Sequence, residues 1–138
     1  MTGLMGRWMT LGQEPLTICD TGHNIGGWEL LSGQLAELPR PLTVVLGFVN
    51  DKDTEHIFPM LPRDARYIFT NASIPRALPA EELARRAAEA GLQGEIVTPV
   101  AEAARMARAV TPREGAVFIG GSTFVVADLL ADAGHVLG

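Results

Sequence analysis

The chain has 138 residues, 47% apolar and 20% charged, with a formal net charge of -5 and a pI near 5.1. That length suits one domain burying roughly two-thirds of its unfolded surface, and the composition excludes extended disorder. The acidic balance argues against nucleic acid or an anionic membrane as a main partner. No apolar run nears the ~20 residues of a bilayer span, and no basic-then-apolar leader is read at the amino end. Cys19 is the single cysteine and lies inside an apolar run, so no internal disulfide forms and a reducing, cytoplasmic setting is expected.

In chain order, residues 7–11 read as a strand that turns back through Gly12-Gln13-Glu14-Pro15 into a second strand over 16–19. Residues 24–38 place Ile25, Trp28, Leu31, Leu35 and Leu38 at three- and four-residue spacing, the apolar stripe of a helix. A strand over 43–49 follows, then a short helix over 54–61 stopped by Pro62. A strand over 67–70 leads to a helix over 79–90, with Pro79 at its start, Glu81 and Glu82 in its first turn and Gly91 after its end. A strand over 95–98, an alanine-rich helix over 100–110, a strand over 116–119 and a helix over 122–133 complete the series. Ser122 suits the cap of that last helix and Gly134 its stop. Alternating strands and helices predict an α/β fold, a mostly parallel sheet covered on both faces, with an antiparallel strand at one edge.

In such a sheet the parallel strands end along one edge, where ligands bind. Asp20, Thr21, His23 and Asn24 follow the strand over 16–19; Asn50, Asp51, Lys52 and Asp53 follow the next. Asn71, Ser73 and Arg76 follow the third, and Gly120-Gly121-Ser122-Thr123 the last. Each residue also has an ordinary structural reading. Asp20 and Asn24 suit turn or cap roles, Lys52 and Arg76 suit solvated loops, and Trp28 lies on the core stripe. No metal-ligating residue stands at ligand spacing from His23, so zinc is not expected. The glycine pair either lets a ligand approach the backbone before a helix start or serves a tight turn capped by Ser122.

Several motifs are missing. There is no G-x-x-x-x-G-K-[ST] phosphate loop, no G-x-G-x-x-G after the first strand, and no Ser/His/Asp or Cys/His nucleophile arrangement. Ligand contacts are therefore expected without a complete catalytic apparatus.

Taken together, Gly6-Arg7-Trp8, Asp20-Thr21-Gly22-His23-Asn24, Asn50-Asp51-Lys52-Asp53, Arg76-Ala77-Leu78-Pro79-Ala80-Glu81-Glu82-Leu83 and Gly120-Gly121-Ser122 occur in that order. The series resembles the carboxyl-terminal domain of folylpolyglutamate synthase/dihydrofolate synthase, in the Mur ligase superfamily, from about residue 6 to residue 130. The motifs together point to the folate branch rather than to the peptidoglycan ligases. Thr21-Gly22 stands where relatives commonly have Gly-Ala.

The resemblance implies a Rossmann-like sheet of about six strands, one of them antiparallel. It implies ATP-dependent addition of L-glutamate to dihydropteroate or folates through an acyl phosphate. The phosphate loop, the Mg2+ ligands and most of the folate site would lie on a larger amino-terminal, ATP-binding domain of the same polypeptide. Residues 1–5 would then end the interdomain linker and 6–138 form the domain, inactive alone and monomeric. By the same resemblance Arg7 would contact the nucleotide phosphates, Asp20 the ribose, and His23 the phosphates or the reacting centre. Asn24 and Ser122 would lie near the glutamate or the acyl phosphate, with Lys52 and Arg76 supporting the anions. Two rivals stay open: a peptidoglycan-precursor ligase domain, in which lysine usually stands at the place of His23, and a non-catalytic α/β module that binds a nucleotide, an anion or a protein.

Overall fold

The computed structural model of the chain describes residues 8–21, 25–50 and 52–137. The hairpin comes first, as β1 (Met9–Gln13) and β2 (Leu16–Asp20). Then follow α1 (Ile25–Ala36), β3 (Leu42–Leu46), α2 (Thr54–Ile57), β4 (Ala65–Phe69) and α3 (Ala80–Glu89). The remainder is β5 (Gly94–Ile96), α4 (Val100–Val110), β6 (Ala116–Gly120), α5 (Thr123–Ala131) and α6 (Ala133–Leu137). The strands form one six-stranded sheet in the order β1-β2-β6-β3-β4-β5. Only the β1–β2 pair is antiparallel. The expected α/β architecture, with its antiparallel edge strand, is the one observed.

The central strands are mostly apolar because side chains of alternate residues leave opposite faces and both faces are covered. Ile18, Val44, Leu46, Tyr67, Phe69 and Phe118 pack toward Trp28, Leu31 and Leu35 of α1 and Leu83 of α3. Cys19, Val45, Ile68, Val117 and Ile119 pack the other way, toward the alanines of α4 and Val125 and Leu129 of α5. Trp28, placed on the core stripe by its spacing, is fully buried, with its ring 5.8 Å from that of Phe48.

Register decides where the strands stop. Asp20 pairs with Gly120, Gly120 with Leu46, and Leu46 with Phe69. The last residues of β2, β6, β3 and β4 therefore lie on one line, and the loops that follow share one rim.

Four elements depart from the sequence reading. The edge strand is Met9–Gln13 rather than 7–11, with an irregularity between Thr10 and Gly12. Arg108 of α4 holds the hairpin turn, donating from Nη1 to the Pro15 carbonyl at 3.2 Å and to Thr17 Oγ1. The strand expected over 43–49 stops at Leu46, because the chain beyond it pairs with the loop after β4 instead of with the sheet. The helix over 54–61 is split into α2 and a 3-10 turn, Phe58–Met60, at Pro59, which lacks an N–H. Finally, Gly134 does not stop the chain's helical course. α5 ends at Ala131 with Asp132 as its C-cap, and α6 follows with Val136 buried against the α4 face.

Candidate functional site

The rim is assembled by backbone pairing beyond the strands. After β3 the Asn50 N–H donates to the Arg76 carbonyl at 2.7 Å, and the Leu78 N–H donates to the Phe48 carbonyl at 2.8 Å. Val49 and Ala77 form an antiparallel bridge between these bonds. Loops after β3 and β4 are thus zipped together, and they bring Lys52 and Arg76 to the same place. Other polar residues of the β4 loop brace it. Asn71 Oδ1 accepts from the Ala80 N–H at 3.0 Å, which satisfies a donor at the start of α3. Both the N–H and the hydroxyl of Ser73 donate to Asp128 Oδ2, at 2.8 and 3.0 Å.

At the end of β6 the glycines are required by close backbone approach. A Cβ on Gly120 would lie 2.3 Å from the Asp20 carbonyl oxygen, and one on Gly121 would lie 2.3 Å from the Gly47 carbonyl oxygen. Gly121 also has φ +115°, a region that side chains oppose. Ser122 caps α5, its Oγ accepting from the Val125 N–H at 3.1 Å. The tight-turn reading of Gly120-Gly121-Ser122 is therefore present in full, and it presents the α5 N-terminus at the rim.

Between these loops lies a cleft of about 180 Å³ lined by Thr21 and Val49, by Lys52 and Arg76, and by the stretch from Gly121 to Phe124. Both charged residues in that lining are basic, and the α5 N-terminus adds its partial positive charge. The Arg76 guanidinium lies over the Phe124 ring, 6.0 Å from its centroid. A volume below the ~300–1,000 Å³ of pockets that enclose drug-sized ligands suits one small anionic group. A larger groove, about 720 Å³, lies between α2 and α3 and shares Lys52. There Arg85 and Arg86 are tied to Glu82, which they hold at a pKa of about 2, and Asp53, Glu55 and Glu89 offset the remaining basic groups. It offers no net field to an anion.

The structure brings Lys52, Arg76 and Ser122 into one cleft, as the strand-end argument expects. Asp20 ends the neighbouring strand and is buried, and its Oδ2 accepts from the Trp8 N–H at 2.8 Å. Arg7, His23 and Asn24 lie outside the described residues. Phe124 and Val49 are cleft residues missed in sequence; the signal for Phe124 was an aromatic in the first turn of a helix, off the Val125–Val126–Leu129 core positions. Cys19, fully buried beside Asp20, has its thiol pushed up to about 11, by burial first and by the Asp20 charge second. It is no nucleophile at neutral pH. Among the described residues no group of His, Cys, Asp and Glu is placed to hold a metal ion, and no helix is long and apolar enough to cross a membrane.

A mostly parallel sheet with a cation-lined cleft beyond its carboxyl edge defines an α/β ligand-binding domain. Comparison specifies which. The family described as "Mur ligase, glutamate ligase domain" matches residues 6–123, and the chain belongs to that family. Among solved structures it is similar to the Yersinia pestis bifunctional folylpolyglutamate synthase/dihydrofolate synthase complexed with AMPPNP and Mn ion, at 25% identity and TM-score 0.81 over 94% of this chain. It is similar also to E. coli FolC in complex with DHPP and ADP, at 26% identity and TM-score 0.78 over 93% of this chain. In each case 31% of the other protein is covered, so the chain spans about a third of their length. Mycobacterium tuberculosis folylpolyglutamate synthase complexed with ADP shares the fold, at TM-score 0.84 and 24% identity over 94% of this chain and 32% of that one. No curated protein sequence matches the chain.

Proposed function

We propose that this chain is the carboxyl-terminal domain of an ATP-dependent ligase that adds L-glutamate to dihydropteroate or folates through an acyl phosphate. The observation that carries the reading is the cleft: loops after β2, β3, β4 and β6, distant in sequence, line it together, with Lys52 and Arg76 as its charged groups. The family's description as a glutamate ligase domain and the nucleotides bound by its folate-enzyme relatives give those cations their ligand class.

On this reading the cleft seats a carboxylate of the incoming glutamate. A guanidinium, an ammonium and a helix N-terminus all favour an anion there. The nucleotide lies toward β2, where Arg7 meets its phosphates, Asp20 its ribose and His23 the reacting centre, with Asn24 beside the amino acid. The family resemblance puts the Mg2+ ligands on the ATP-binding domain. This chain's share of catalysis is positional and electrostatic: it orients the amino acid and, as the domains close, keeps water from the acyl phosphate. Residues 6–138 form that domain, residues 1–5 lead into it from the ATP-binding domain of the same polypeptide, and the enzyme acts as a cytoplasmic monomer.

The test is ADP release by the full-length protein with L-glutamate and either a dihydropteroate or a UDP-muramoyl acceptor. The folate-ligase reading expects turnover on the former alone. Turnover on the muramoyl acceptor assigns the domain to peptidoglycan synthesis. Turnover on neither, with folded protein, favours a binding module.

A further inference from the structure

We propose that Asp20 is a positioning residue: its buried carboxylate latches the Trp8 amide and so fixes the path by which the chain joins the ligand rim. Trp8 has φ +45°, a left-handed conformation. For a bulky residue that is a genuine outlier, held only where its surroundings over-determine it. Two contacts do so here. The indole lies on Phe118 of central strand β6, with ring centroids 6.2 Å apart, and the N–H donates to Asp20 Oδ2 at 2.8 Å. The bond therefore holds the Trp8 backbone just ahead of β1.

A carboxylate is a stronger acceptor than a carbonyl, and this one is 6% exposed. It is also one residue from Thr21, which lines the cleft. Three elements meet at the latch: the start of β1, the end of β2 and the middle of β6. Whatever contacts the rim beside Asp20 acts on the group that holds Trp8. This last link rests on the ligase reading, whereas the latch itself does not.

Asn at position 20 keeps an oxygen for the Trp8 N–H but turns an amino group toward a ligand hydroxyl; Ala keeps neither. Amide exchange in the labelled 138-residue chain is therefore expected to be at least tenfold faster at Trp8 in Asp20→Ala, and within about threefold of the native rate in Asp20→Asn. Because glycine accepts the left-handed turn freely, Trp8→Gly is expected to shrink the loss of unfolding midpoint caused by Asp20→Ala. For ADP binding, Asp20→Ala should weaken the Kd more than Asp20→Asn does. Equal weakening by the two variants overturns a positioning role and leaves Asp20 a direct ligand alone. Unchanged Trp8 exchange in Asp20→Ala overturns the latch. Should Asp20→Ala fail to fold, the native chain decides: a scalar coupling across the hydrogen bond, from the Trp8 amide nitrogen to the Asp20 carboxyl carbon, is expected, and its absence overturns the proposal.

Discussion

Arg76 and Phe124 meet at the mouth of the cleft, the guanidinium 6.0 Å from the ring centroid, although one follows β4 and the other begins α5. An arginine resting on an aromatic face loses less freedom when it grips an anion. Phe124→Ala should therefore raise the KM for L-glutamate in the full-length enzyme about two- to fivefold, the ~0.5–1 kcal/mol of an exposed cation–π contact. Steady-state kinetics read it, and Phe124→Tyr should restore the native value.

Ser122 serves the helix by capping it, and the ligase reading adds a second role beside the anion. The two separate by substitution. Ser122→Ala should cost about 1 kcal/mol of stability, read as a lowered urea midpoint. Ser122→Asp should keep the cap and the midpoint while its charge opposes a bound carboxylate, so that KM rises with stability intact. A variant with normal stability and normal KM shows that Ser122 is a cap and nothing more.

Gly121 tolerates no side chain. Its positive φ and the 2.3 Å approach to the Gly47 carbonyl oxygen act together, and Gly121→Ala should destabilise the chain by about 2–4 kcal/mol, measured by denaturant unfolding. Gly33, on the surface of α1 with open space around its Cβ position, is the control; Gly33→Ala should stabilise by up to about 1 kcal/mol.

The buried thiol of Cys19 sets an alkaline limit. Its folded pKa of about 11 lies above the ordinary 9.0. The folded state thus keeps a proton that the unfolded chain gives up. The sign follows: this contribution is complete below pH 9, fades as pH climbs toward 11 and is gone above it. Unfolding free energy measured between those limits should fall less steeply in Cys19→Ala than in the native chain. Alkylation of the thiol at pH 8 should require denaturant.

Much of this is legible in the amino-acid sequence. The strand–helix alternation, the doubly apolar strands and the polar residues at strand ends fixed the architecture and the shared rim, because both follow from local periodicity and sheet direction. What sequence could not supply was pairing outside the sheet. The Asn50–Arg76 and Phe48–Leu78 bonds, which shorten β3 and set Lys52 beside Arg76, depend on two loops meeting and leave no periodic trace. The Trp8–Asp20 bond is likewise tertiary. Asn71 and Ser73, polar residues at a strand end like the others, turned out to brace the loop through α3 and α5, a distinction composition does not carry.

The decisive measurement is the KM for L-glutamate, in ADP release by the full-length protein on dihydropteroate, with Lys52→Met and Arg76→Met introduced singly and together. Each should raise KM by about tenfold or more, the scale of a charge-assisted hydrogen bond, with cooperative unfolding retained. A doubly substituted enzyme that still saturates at the native glutamate concentration would show that the cleft seats no substrate carboxylate.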